Sequence, residues 1–242
     1  MQYLVDGIKG LGIRLTPAQQ AAFQIYYDEL VAWNQRTNLT AITEYEQVQI
    51  RHFLDSLSCL LASEPRNILN RPGTRAIDVG TGAGFPGIPL KLACSPANLT
   101  LLEATAKKVA FLEHLVDRLG LQAVTAIHAR AEVLAHAPDH RQQYDLTLAR
   151  AVADLSILVE YTLPFCKIGG WVVAHKGEAG AAEAWAAEPA IKRLGGELRR
   201  VLPVELPGLP EDRSLVVIEK VSPTPDQYPR RPGIPSKRPL LN

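Results

Sequence analysis

The chain has 242 residues, of which 47% are hydrophobic and 21% charged, with a formal net charge of +1. That is enough apolar material for a sizeable core, which excludes a disordered chain or a mini-protein that needs staples. A charge so close to neutral neither requires nor forbids a nucleic-acid partner, and no apolar run approaches the roughly 18 residues of a membrane span. Cys59, Cys94 and Cys166 are odd in number and contain no C-x-x-C, so neither a disulfide framework nor a metal site is indicated. With no segment that reads as a signal peptide, a soluble, cytoplasmic protein without a membrane association is expected.

Residues 1–72 read as a helical leader. Thr16-Pro17-Ala18-Gln19 has the form of a helix start, with Thr16 as cap, Pro17 in the first turn and Gln19 completing a capping box. Phe23, Tyr26, Tyr27, Leu30 and Val31 then recur at helical spacing. Thr43 with Glu46 predicts a second box and a helix carrying Val48, Phe53, Leu54, Leu57 and Leu61, broken by residues 67–74. Asn38 falls in a turn-like stretch, where it fixes the turn rather than meeting a ligand.

The most informative run is Asp78-Val79-Gly80-Thr81-Gly82-Ala83-Gly84-Phe85-Pro86-Gly87. A short apolar strand, Ala76–Val79, enters it and a helix opens at Pro86. Between them the backbone must bend and approach a ligand closely, which glycine permits. Gly82, Gly84 and Gly87 satisfy the dinucleotide fingerprint, with Glu103 about 20 residues on. Asp78, Gly80, Gly82 and Gly84 equally give the acidic-x-G-x-G-x-G run common in enzymes that use S-adenosylmethionine (SAM). The glycines alone do not separate the two.

Residues 73–221 continue as an alternation of strands and helices. Strands are expected at 76–79, 99–103, 124–128, 145–149 and 171–175, and helices near 105–119, 154–162 and 180–194. That alternation predicts a mostly parallel sheet covered on both faces. Residues 200–205 and 214–220 are strand-like but separated only by a Pro/Gly-rich turn, which predicts an antiparallel hairpin at the sheet edge. The ending suits a seven-stranded class I SAM-dependent methyltransferase, an α/β Rossmann-like fold with added N-terminal helices, better than a dinucleotide dehydrogenase. Residues 222–242, with Arg230, Arg231, Lys237 and Arg238 against Asp226 and many prolines, read as an extended basic tail, solvated or in contact with RNA.

Ligands of open α/β sheets bind at the carboxyl ends of the strands. The residues there are Gly80, Gly82, Gly84 and Phe85 after the first strand, Glu103, Ala104 and Thr105 at the end of the second, Ala131 and Glu132 after the third, and Arg150 after the fourth. Glu103 suits ribose hydroxyls, Ala131 and Glu132 the adenine edge, and Phe85 an apolar contact. Arg150 stands where methyl donor and acceptor would meet, or pairs with Asp78 or Glu132. On the acceptor side His52, which shares a helix with Arg51, Asp55 and Ser56, and Lys176, after the fifth strand, are candidates for the target pocket or for structural bonds. Cys166 lies in an apolar stretch and reads as core.

Trp33 to Thr40, Arg51 to Ser56, Asp78 to Leu90, Lys107 to Leu112, Ala149-Arg150-Ala151 and Lys176-Gly177 together resemble the RsmG (GidB) family of ribosomal RNA small-subunit methyltransferases, in consistent order over about residues 30–220. The resemblance implies SAM as cofactor, 16S rRNA or the small ribosomal subunit as partner with no obligate protein partner, and methylation at N7 of one guanine. It carries cofactor roles onto Gly80, Phe85, Glu103 to Thr105, Ala131, Glu132 and Arg150. Where many members have Pro, Leu, Asp and Leu, this chain has Ala83, Phe85, Glu103 and His175. A small-molecule methyltransferase and a non-catalytic SAM- or RNA-binding protein are the competing expectations. Guanine N7 carries a free lone pair, so its methylation needs alignment but no general base. Methylation of an exocyclic amine usually uses an Asn-Pro-Pro-aromatic loop after the fourth strand, and pyrimidine C5 methylation a nucleophilic Cys. Neither pattern stands here.

Overall fold

A computed structural model describes residues 1–94, 97–208 and 213–240. The expected hairpin turn at 209–212 and the last two residues of the tail lie outside the described residues.

Seven strands form one sheet in the order β3-β2-β1-β4-β5-β7-β6. They are β1 (Arg75–Val79), β2 (Asn98–Glu103), β3 (Val124–His128), β4 (Tyr144–Arg150), β5 (Cys166–Lys176), β6 (Gly196–Val204) and β7 (Arg213–Lys220). The first five are parallel, while β7 runs antiparallel to both β5 and β6. The strand order reverses between β1 and β4, so the ligand crevice of such a sheet opens over the carboxyl ends of those two strands. Val, Ile and Leu fill the central strands because both faces are covered.

The helices are α1 (Gln2–Gly7), α2 (Pro17–Thr37), α3 (Tyr45–Val48), α4 (Asp55–Leu57), α5 (Ser63–Leu69), α6 (Gly87–Cys94), α7 (Ala106–Arg118), α8 (Ala131–Leu134), α9 (Leu155–Thr162), α10 (Gly180–Ala186), α11 (Glu188–Arg193) and α12 (Ile234–Lys237). Thr16 caps α2 through the full capping box, and Asn38 ends it in the left-handed conformation. Thr43 does not cap the next helix. Glu44 holds the cap position without a side-chain bond, and α3 runs on through a π-helical turn, Gln49–Leu54, into α4. The predicted helix at 180–194 is two helices, with Pro189 in the first turn of the second.

Leader and sheet share one apolar cluster that includes Leu4, Phe23, Tyr26, Phe53, Phe85, Leu101 and Leu146. Burying such side chains contributes about 1.5–3 kcal/mol each, so α2 and the π-helical segment are held by packing rather than by propensity. The tail differs from the extended segment expected. Tyr228 and Leu240 are buried with Leu155, Leu158 and Ile218, and Ile234–Lys237 is helical. Arg141 ties the segment down by donating to the carbonyls of Thr224 (2.9 Å) and Tyr228 (2.8 Å).

Candidate active site

The turn after β1 is built around Asp78. Its carboxylate is fully buried and accepts hydrogen bonds from the Thr81 hydroxyl at 2.6 Å and the Gly87 N–H at 2.8 Å. Burial pushes this carboxyl up to about 6 despite those bonds. The second oxygen, Oδ1, is buried without a hydrogen-bond donor among the described residues. Gly80, Gly82 and Gly84 have φ of 69°, 62° and 102°, whereas Gly87 is helical and packs its Cα against Asp78. The left-handed positions are therefore those of the acidic-x-G-x-G-x-G spelling. A side chain at Gly80 would strike Val152 and one at Gly84 would strike Ile88 and Tyr26, but one at Gly82 would meet no protein atom within 4 Å. Space for a ligand lies over Gly82.

Glu103, at the end of β2, accepts from the Gly82 N–H at 3.1 Å through one oxygen and from the Thr105 N–H at 2.8 Å through the other. Each oxygen keeps a lone pair for a further donor, so the carboxylate suits a pair of ribose hydroxyls. Beside it a cavity of about 170 Å³ is lined by Gly80, Ala104, Ala131, Glu132, Val152 and Tyr161, among others. Open space over Gly82, an oriented carboxylate, a partnerless buried acceptor and an adjoining slot fit SAM.

Arg150 does not pair with Asp78 or Glu132. It reaches back to the leader, donating to Asp55 Oδ2 at 2.8 Å and to the Arg51 carbonyl at 2.9 Å, with its guanidinium 4.9 Å from the Phe85 ring centroid. Its Nη2 lies 3.2 Å from His52 Nδ1, and because a guanidinium only donates, that nitrogen accepts. The His52 Nε2–H then donates to Thr40 Oγ1 at 2.8 Å, and the ring stacks on Phe85 at 4.6 Å. Burial first, then the Arg150 charge, lowers His52 to about 3. His175 is held likewise: Nε2 donates to the Asp55 carbonyl at 3.0 Å, and burial lowers it to about 4. Both imidazoles are neutral near pH 7.

These residues line a second cavity, of about 270 Å³, with Arg51, Ala151, Lys176, Glu183 and Arg213. Four cationic side chains there face Asp55 and Glu183. Lys176 is engaged, donating to the Ala153 carbonyl at 2.9 Å and pairing with Glu183 at 2.6 Å. Phe85, at the end of the glycine turn, touches Arg150 and His52 of the second cavity and stacks on Tyr26 of α2.

The family model for rRNA small subunit methyltransferase G matches residues 19–210. The chain belongs to the rRNA small subunit methyltransferase G family. Members so named include one from Roseiflexus castenholzii, 52% identical over 230 residues and 95% of each chain, and one from Dehalococcoides mccartyi, 50% identical over 241 residues and the whole of both chains. A class I SAM-dependent methyltransferase of Listeria monocytogenes shares the fold with this family member at a TM-score of 0.59 and 10% identity, covering 83% of this chain and 69% of that one. A mutant of MtNAS crystallised with S-adenosylmethionine matches at a TM-score of 0.53 and 16% identity, over 84% and 76% of the two chains.

Sequence reasoning placed Gly80, Gly82, Gly84, Phe85, Glu103, Ala104, Thr105, Ala131, Glu132 and Arg150 along one edge of the sheet. In the structure of this rRNA small subunit methyltransferase G family member Gly80, Ala104, Ala131 and Glu132 line the cavity beside Glu103 and Arg150 lines the cationic one, Gly82 and Thr105 donate to Glu103, and Gly84 and Phe85 pack on Tyr26 of the leader. Sequence reasoning missed three features. Arg213 at the start of β7 approaches Asp55 Oδ1 at 3.8 Å. Ala151 turns the chain after Arg150 with φ of 54°, a strained conformation for a residue with a Cβ. Tyr26, fully buried in the leader, donates to the Ala83 carbonyl at 2.6 Å and so fixes the glycine turn. Cys166 is core, and burial raises its thiol to about 12.

Proposed function

We propose that the chain is a SAM-dependent methyltransferase that modifies N7 of one guanine in 16S rRNA. The observation that carries this reading is the pairing of a glycine turn and an oriented Glu103 carboxylate with a cavity lined by four cationic side chains, which Phe85 at the end of the turn meets through Arg150 and His52. When bound, SAM supplies a sulfonium methyl whose carbon–sulfur bond breaks as the N7 lone pair attacks, leaving the alkylated base positively charged and the thioether neutral.

The residues of this chain supply alignment. Glu103 holds the ribose, Gly82 leaves room for the methionyl arm, and Ala131 with Glu132 meets the adenine edge. Neither neutral imidazole needs to accept a proton, because N7 carries none. Arg51, Arg150, Lys176 and Arg213 outnumber Asp55 and Glu183, a balance suited to RNA phosphates and to the guanine O6 acceptor. Orientation alone lowers such barriers by several kcal/mol.

The test is incorporation from labelled SAM into 16S rRNA and small subunits that lack the modification, across a salt series. RNA labelling that weakens steeply with salt is expected. Salt-independent SAM binding without label in RNA would favour a small-molecule acceptor.

A further inference from the structure

Arg130, Glu132 and Tyr161 line the cavity of about 170 Å³ beside Glu103, and Glu132 is held there from outside the sheet. The Gly233 N–H donates to Glu132 Oε1 at 3.1 Å, while the Ser236 hydroxyl donates to the Gly233 carbonyl at 3.1 Å. Both residues belong to the far C-terminal segment, which is anchored just upstream. Arg230 makes a forked pair with Glu160, with Nη2 to Oε2 at 2.6 Å and Nε to Oε1 at 2.9 Å, and Glu160 is fully buried. The Arg230 N–H adds a bond to the same carboxylate at 2.7 Å, and the Pro229 carbonyl lies 2.8 Å from His136 Nε2. A charge-assisted fork of this kind fixes geometry as well as energy. Gly233 itself sits at φ of 81°, so its N–H is presented by a conformation that glycine adopts freely.

We infer that residues 229–236 are a positioning strap for the adenine end of the cofactor site, acting through Gly233 on Glu132. The inference rests on the SAM reading above. With Oε1 committed to the Gly233 N–H, the second Glu132 oxygen is left to accept from the adenine amino group, in a fixed orientation. The strap touches no reacting atom. Its removal should therefore weaken cofactor binding and leave the chemical step alone.

Two variants of the full chain test this. Arg230→Met removes the fork that anchors the strap on Glu160, Arg230→Lys keeps the charge without the fork, and each is made alone and beside Glu132→Ala. Freeing the strap should raise the SAM Kd by about tenfold in Arg230→Met, by less in Arg230→Lys, and leave it unchanged beside Glu132→Ala, because the strap reaches the cofactor only through that carboxylate. KM for SAM should rise in step, with kcat at saturating SAM and KM for RNA unchanged. A merely structural segment would lower melting temperature and active fraction and leave KM for SAM alone, and that result overturns the strap. If Arg230→Met does not fold, Arg230→Lys decides, and an unchanged Kd there, or an equal rise beside Glu132→Ala, overturns the inference. A wild-type chain that binds no SAM would overturn the cofactor reading itself, and the inference with it.

Discussion

Replacing Arg150 with Met should uncouple the leader from the sheet. The Arg150 side chain is 13% exposed and its partner Asp55 5%, and the two meet at 2.8 Å. Arg150→Met leaves Asp55 Oδ2, the Arg51 carbonyl and His52 Nδ1 without this donor and removes the cation from the Phe85 face. Breaking a buried pair typically costs about 3–5 kcal/mol. The adjoining cavity of about 270 Å³ admits water to Asp55, and Met retains part of the stem's packing, so the low end applies. The expected loss is about 3 kcal/mol by urea unfolding, or about 6–12 °C in Tm for a chain of this size. Turnover per folded molecule should fall further, because the guanidinium is also lost from the acceptor cavity. A cycle with Asp55→Leu should show a coupling above about 1 kcal/mol. A loss under about 1 kcal/mol with no coupling would refute the pinning role, and normal turnover per folded molecule would refute the acceptor role.

Gly82→Asp should abolish detectable SAM binding in calorimetry, since the new side chain enters the space over Gly82 where a Cβ meets no protein atom within 4 Å; the left-handed φ adds about 1–2 kcal/mol of strain. Unchanged affinity would sink the pocket assignment. His52 and His175, held at about 3 and about 4 against an ordinary 6.5, contribute stability that is present above pH 6.5 and lost as pH falls toward those values. Asp78, raised to about 6, opposes them by taking up a proton in the folded state between roughly pH 6 and 4, while His140 and Lys220, both lowered by burial, add to the loss. Urea unfolding at pH 7 and pH 5 should show a net loss that a His52→Gln, His175→Gln double variant diminishes, and an undiminished loss would refute the assignment. Cys166→Ala should retain methyl transfer while losing about 1 kcal/mol or more of stability, as a core thiol does; loss of transfer in a fully folded variant would point to covalent chemistry instead.

The strands were legible because buried β-branched and leucine runs are punctuated by glycine and proline, and β3 matches its predicted limits, Val124–His128. The capping box at Thr16 and Gln19 was legible because it is local. Arg150 could be placed at a strand tip from the sequence, but its partner Asp55 lies 95 positions away, at the start of α4 just after a π-helical turn whose pattern reads as ordinary helix. Long-range pairing of that kind leaves no local trace. In the tail, prolines and cations suggested a solvated segment, while the opposing signal was Tyr228 and Leu240, two large apolar side chains that find a place in the core. His175, a polar side chain in a buried position, is accommodated because the Asp55 carbonyl takes its Nε2–H.

The central claim is that this site delivers a methyl group to guanine N7. The direct measurement treats 16S rRNA, methylated by the purified chain from labelled SAM, with borohydride and aniline, which cleave RNA at N7-methylguanine. One new cleavage, at a single guanine of the small-subunit RNA and stoichiometric with incorporated label, is the predicted result. Label incorporated without any cleavage would place the methyl on another atom and contradict the base-free mechanism.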